Sequence, residues 1–118
     1  MCNQRVVVIT HSATYADPIT VESGGMVTLS GRQDIWNGHL WLWTVANDGR
    51  EGWVPESLVN SKKPAIQTAR FAYSAKELSC ERGEQLTAVK SSHGWTWCCN
   101  AMGCAGWVPD ENLSPVKI

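Results

Sequence analysis

The chain has 118 residues, a formal charge of −1, 43% hydrophobic residues and 18% charged ones. That length admits one ordinary domain or two very small ones, and the composition supplies a packed core rather than a disordered chain. Ten Lys and Arg against eleven Asp and Glu exclude the basic footprint of a dedicated nucleic-acid binder, and no block of like charges marks an anionic-membrane patch.

From the N-terminus, the apolar run Val6-Val7-Val8-Ile9 is too short for a signal-peptide core or a membrane span, so a cytoplasmic location is expected. Pro18 to Gly24 leads into Met26-Val27-Thr28-Leu29, which alternates with the period of a strand. The segment 30–40, which holds Asp34 and Trp36, reads as a long loop whose large indole either reaches a binding groove or, the favoured reading, covers one end of the fold. Trp41-Leu42-Trp43-Thr44 then runs through Asn47-Asp48-Gly49 into Gly52-Trp53-Val54-Pro55, the pattern of a hairpin. A three-residue loop sets Trp43 against Trp53, Leu42 against Val54 and Trp41 against Pro55. The indoles then share an outer face, and Leu42, Val54 and Thr44 face the core.

Asn60-Ser61-Lys62-Lys63-Pro64 has the polar, proline-ended composition of a linker. Beyond it the pattern returns, since Trp95 precedes Trp107 by the same twelve residues that separate Trp41 from Trp53. Trp97 is expected to face Trp107, Thr96 to face Val108 and Trp95 to face Pro109, with Val108 and Cys98 turned to the core. No window of eleven or more residues holds a helical period. The chain therefore reads as all-β, two copies of one unit with domains 1–60 and 61–118, each a small barrel or sandwich of five short strands. Residues 1–60 carry three basic against six acidic side chains, net −3, and residues 61–118 seven against five, net +2. Opposite signs of this kind would help two neighbouring units to dock.

Five cysteines without a signal sequence point to reduced thiols, and an odd number cannot all pair internally. Strand alternation sends Cys98 and Cys99 to opposite faces, Cys99 toward Ala105 and Cys104 toward Asn100, so no two thiols face each other. His93, Cys98, Cys99 and Cys104 lack metal-ligand spacing, and no metal or cofactor is expected. His11, His39 and His93 fall in loops with no nucleophile and acid at suggestive spacing. With no phosphate loop and no paired-carboxylate frame either, the chain is read as not an enzyme.

These residues resemble the Src-homology-3 (SH3) family, and two copies in one short chain look like the bacterial variant SH3 proteins. Ala69-Arg70-Phe71-Ala72-Tyr73 is similar to the family's Ala-Leu-Tyr-Asp-Tyr strand, and Glu77-Leu78-Ser79-Cys80 to the Glu-Leu-Ser-Phe that closes its RT loop. The position of that family Phe makes Cys80 a buried small hydrophobe. Trp95 is similar to the groove tryptophan, and Gly106-Trp107-Val108-Pro109 to the Gly-Tyr-Ile-Pro that precedes a 3₁₀ turn. The resemblance implies two tandem SH3-like five-stranded barrels and a non-enzymatic protein-interaction module. Its ligand would be an extended, proline-rich peptide, whose flat pyrrolidine pairs suit aromatic ridges.

Carried over by position, the second copy supplies Phe71, Tyr73, Trp95 and Pro109, with Asn112 where the family has its last tyrosine. The first copy retains Trp41 and Pro55 but has Ile9, His11 and Leu58 at the remaining positions. The second copy is thus the expected binding groove, with a protein or peptide partner and no membrane. The rivals are a scaffold or homodimer that buries the Trp-rich faces, and an oligonucleotide or RNA binder that stacks bases on them; the net charge argues against the latter.

Overall fold

The computed structural model describes residues 3–13 and 17–116. Its strands are β1 (Gln4–Val7), β2 (Thr20–Val21), β3 (Met26–Trp36), β4 (His39–Ala46), β5 (Glu51–Pro55), β6 (Ile66–Thr68), β7 (Tyr73–Ser74), β8 (Gln85–Ser92), β9 (Trp95–Cys99), β10 (Ala105–Pro109) and β11 (Leu113–Pro115). Single 3₁₀ turns at Glu56–Leu58 and Asp110–Asn112 follow the two Val-Pro pairs. The all-β expectation and both Trp hairpins hold. Trp41 lies opposite Pro55, Leu42 opposite Val54 and Trp43 opposite Trp53, and Trp95 opposite Pro109, Thr96 opposite Val108 and Trp97 opposite Trp107. Leu42, Thr44, Val54, Cys98 and Val108 are buried as the alternation requires.

The compact units do not follow the repeat boundary. One is continuous, Asp17–Lys76, and the other is split, Met1–Ala16 with Glu77–Ile118. In the split unit, β1 from the first repeat lies between β8 and β11 of the second, in a five-stranded sheet ordered β10-β9-β8-β1-β11. Val7 from β1 completes a core of Leu78, Cys80, Leu86, Cys98 and Val108. In the continuous unit, β6 from the second repeat closes a four-stranded sheet ordered β5-β4-β3-β6, and β2 and β7 form a separate two-stranded ribbon. Its core is Ile19, Val21, Val27, Leu29, Leu42, Ala46, Val54, Leu58, Val59 and Ala69, all from 17–76. The five-stranded sheet expected of both copies is therefore present only in the split unit.

Matching hydrogen bonds identify which residues exchange. Val7 N donates to Glu84 O and Gly83 N to Val7 O at 2.9 and 2.7 Å, while Ala69 N donates to Gly25 O and Gly24 N to Ala69 O, both at 2.8 Å. Val8 N donates to Asn112 O and Arg70 N to Leu58 O, again both at 2.8 Å. Val7 and Ala69 thus hold the same place in two different units, each packed on the other repeat's strands.

The segment read as a linker explains the exchange. In the split unit the last strand runs antiparallel to the first, with Val7 opposite Leu113 and Val6 opposite Ser114. A chain leaving the first 3₁₀ turn at Val59 is therefore already beside the place where a first strand belongs, and six residues suffice to turn back into it. Residues 60–65 make that turn. Gln67 Nε2 donates to Ser61 O at 2.6 Å and to Pro64 O at 2.7 Å, Ser61 Oγ donates to Lys63 O, and Leu29 N donates to Ala65 O at 2.7 Å. The proline-ended stretch is an internal turn of the continuous unit, not a connection between units. The chain passes between units at 16/17 and again at 76/77.

The segment 30–40 is also not a loop. β3 continues through it to a two-residue turn at Asn37 and Gly38, with φ of 51° and 78°, the left-handed pair that a tight hairpin requires. Trp36 lies opposite His39 and Asp34 opposite Trp41, so the indole sits at a hairpin tip. His39 is in a strand, and His93 occupies the equivalent turn of the second repeat with φ 52°.

The outer tryptophan faces are covered rather than bare. Trp43 and Trp53 meet edge to face at 5.1 Å with the Arg32 guanidinium 5.0 and 5.2 Å from their centroids. Trp97 and Trp107 meet at 5.3 Å under the Lys90 ammonium, 5.9 and 5.7 Å away. Such pairs contribute about 0.5–1.5 kcal/mol beyond their burial, and the cation adds a further attraction to the ring faces. All seven tryptophans are buried or half-buried.

Because the continuous unit draws its whole core from one segment, an excised polypeptide 17–76 is expected to unfold as one cooperative transition, with its Trp43 and Trp53 indole signals at the shifts seen in the intact chain. A collapsed indole spectrum for that polypeptide would refute the division into units.

Candidate functional site

The exchange decides which aromatic positions share a unit. In the continuous unit, β7 carries Tyr73 beside Val21, and Tyr73 packs on the core cluster that contains Leu58. Trp41 lies across from the buried Pro55 in the same unit. Phe71 completes the set and is the exposed aromatic, at 39%. The Trp41 Nε1 is buried.

In the split unit the corresponding positions are Ile9, His11, Trp95, Pro109 and Asn112. Asn112 Nδ2 donates to Ile9 O at 3.1 Å, which accounts for a buried Asn at that place: the amide ties the first-repeat arm to the second-repeat 3₁₀ turn. His11 stands edge-on to Trp95, with centroids 5.7 Å apart and planes 75° apart. Its Nε2 lies 2.8 Å from Glu77 Oε1, and the two side chains are 13% and 10% exposed. Backbone bonds in both directions between His11 and Cys80, 2.9 and 2.8 Å, hold the arms together.

Of the seven residues expected to form binding grooves, Phe71, Tyr73, Trp41 and Pro55 share the continuous unit, and Trp95, Pro109 and Asn112 share the split unit. The expected second-copy groove of Phe71, Tyr73, Trp95 and Pro109 is thus divided, because β6 and β7 stay with the continuous unit while β9 and β10 do not. The His11–Glu77 pair escaped sequence reading: its members are 66 residues apart and belong to different repeats. The charge contrast also disappears on regrouping. Residues 17–76 hold six basic and six acidic side chains, net 0, and the remainder four and five, net −1.

A family model described as variant SH3 domain matches residues 6–61 and again 67–116. The chain belongs to the variant SH3 domain family. No curated protein and no solved structure matches the chain. SH3-type domains are typically non-catalytic modules that mediate protein interactions. The two matches follow the sequence repeats, so each variant SH3 repeat gives its first strand to the unit built mainly by the other.

The thiols of this variant SH3 chain differ in burial. Cys80 and Cys98 are free and buried, Cys99 is half-buried and Cys104 exposed, and Cys2 lies outside the described residues. Cys99 faces Ala105, as expected. Burial pushes the Cys98 thiol up to about 11, with the neighbouring Cys80 adding to the shift; burial and then Glu84 raise Cys80 as well. Among the described residues no group of three or more His, Cys, Asp and Glu could hold a metal ion. Among the described residues no helix is long and apolar enough to cross a membrane.

Two predictions follow from these packings. A Cβ at Gly106 would sit 2.7 Å from Glu77 C and Leu78 N, whereas one at Gly52 meets the Ile19 side chain first, its Cγ2 at 3.0 Å, with backbone no nearer than 3.8 Å. Gly106→Ala should therefore destabilise the split unit by about 1–3 kcal/mol in urea unfolding, and Gly52→Ala by less, since a methyl yields more easily than backbone. Secondly, a thiol whose pKa is raised by folding favours the folded state fully below its unfolded value near 9 and loses that contribution as pH rises toward 11. Stability measured across this window should fall, and the fall should be shallower in Cys98→Ala.

Proposed function

We propose that this chain is a non-enzymatic protein-interaction module that takes an extended, proline-bearing peptide across Phe71, Tyr73, Trp41 and Pro55 of the continuous unit. One observation carries the reading: the strand exchange gathers two aromatic residues of one repeat with the tryptophan and proline of the other, and leaves Phe71 exposed. A polyproline ligand offers flat rings and unpaired carbonyls, which rigid aromatic ridges accept at low entropic cost. At the same places the split unit has Ile9 and a His11 already engaged by Glu77 and Trp95, so it is the poorer groove. A reducing compartment, the cytoplasm, suits the buried free thiols.

The test is an amide and indole titration of the intact chain with a mixed set of proline-rich peptides. Saturable shifts of the Trp41 indole and the Phe71 and Tyr73 amides are expected, with Trp95 unmoved, and Tyr73→Ala should weaken binding at least about tenfold. Shifts confined to Trp95 and His11, or none at Trp41, would sink the assignment.

A further inference from the structure

The two units carry the same indole pair under the same kind of cation, and the charges around that pair differ. In the continuous unit, β3, β4 and β5 contain Arg32 together with two carboxylates, Asp34 and Glu51. Asp34 lies opposite Trp41 on β4, and Glu51 Oε1 accepts from Trp43 Nε1 at 2.8 Å. In the split unit the matching places are neutral. Ser92 lies opposite Trp95, and Ala105 stands two residues before Trp107, as Glu51 does before Trp53. Lys90 is thus the one charged side chain in β8, β9 and β10. It lies opposite Trp97, on the side of the sheet away from the buried Cys98 and Val108. Lys90 is exposed, and among the described residues it has no carboxylate within ion-pair distance. Two acidic residues that adjoin this hairpin are already engaged. Glu77, whose backbone bridges to Trp107, meets His11 at 2.8 Å, and Asp110 Oδ1 accepts from Thr96 Oγ1 at 2.6 Å.

We propose that the Lys90–Trp97–Trp107 face is a second docking surface, one that takes a carboxylate side chain from an acidic segment of a partner protein. The ammonium lies 5.9 and 5.7 Å from the two ring centroids, so the rings hold it in position before a ligand arrives. A lysine's long stem otherwise gives up much rotamer freedom on binding, and holding it in advance removes part of that cost. The indoles also keep water from one side of the charge, and attraction between unlike charges grows as water is displaced. A phosphate backbone is the poorer occupant, because its affinity comes from several cations acting together and these three strands hold one. The surface is separate from Phe71, Tyr73, Trp41 and Pro55 of the continuous unit, so either reading can fail without the other.

A hexaglutamate peptide titrated into the intact chain at low ionic strength, followed by indole and amide NMR, tests this. Saturable shifts are expected at Trp97 and Trp107, with Trp43 and Trp53 unmoved. Lys90→Gln should weaken binding by about threefold or more, the loss of one exposed charge contact, and Lys90→Arg should preserve it. Ser92→Asp, which supplies the carboxylate that the first repeat has at this place, should weaken it as well. Conversely, Asp34→Asn combined with Glu51→Gln should let Trp43 and Trp53 respond to the same peptide. No shift at Trp97 and Trp107, an unchanged affinity in Lys90→Gln, equal shifts at all four indoles of the wild-type chain, or a silent Asp34→Asn/Glu51→Gln chain would overturn the proposal. So would tighter binding of a thymidine decanucleotide at the same two indoles.

Discussion

The antiparallel apposition of a unit's last strand with its first is the constraint from which the rest of this molecule follows. In the split unit it is explicit in the pairing of β1 with β11. In the continuous unit the same apposition is closed covalently by residues 60–65, which turn the end of the first repeat straight into the start of the second. Once that turn forms, β6 is committed to the first repeat's four-stranded sheet and β7 to the ribbon with β2. The first repeat's own opening strand must then complete the second repeat. A domain inserted within another domain arises here from one short turn.

Exchange also redistributes chemistry. Aromatic residues that are close in sequence, Phe71 and Tyr73, end up with Trp41 and Pro55, and Trp95 receives His11 in their place. The two sets differ as a result. One leaves Phe71 exposed; the other has a histidine held between a carboxylate and an indole. Both Trp hairpins, by contrast, are local structures and are left alone by the exchange. Each keeps its edge-to-face indole pair and its covering cation.

Legibility in the sequence tracked the range of the interaction. The pairing of Trp43 with Trp53, the inward turn of Thr44 and Cys98, and the separate faces of Cys98 and Cys99 depend only on period-two alternation and a turn a few residues away. The hairpin at 30–40 was legible too, since Asn37-Gly38 is a strong turn signal, but the length of the segment and its isolated Trp36 suggested a loop. Buried Asn112 looked like a lost tyrosine because its partner, Ile9 O, is 103 residues away.

Sequence alone determined that the chain is all-β, that it contains two variant SH3 repeats, and which residue lies opposite which within each hairpin. Tertiary structure alone decided which repeat each opening strand completes, and with it which candidate residues share a unit, the His11–Glu77 pair and the charge of each unit. The reason is that the strands Gln4–Val7 and Ile66–Thr68 carry equivalent hydrogen-bonding places, as Val7 and Ala69 show, so their local pattern fits either sheet. Chain connectivity through a six-residue turn, a property of three-dimensional proximity rather than of residue type, selects between them.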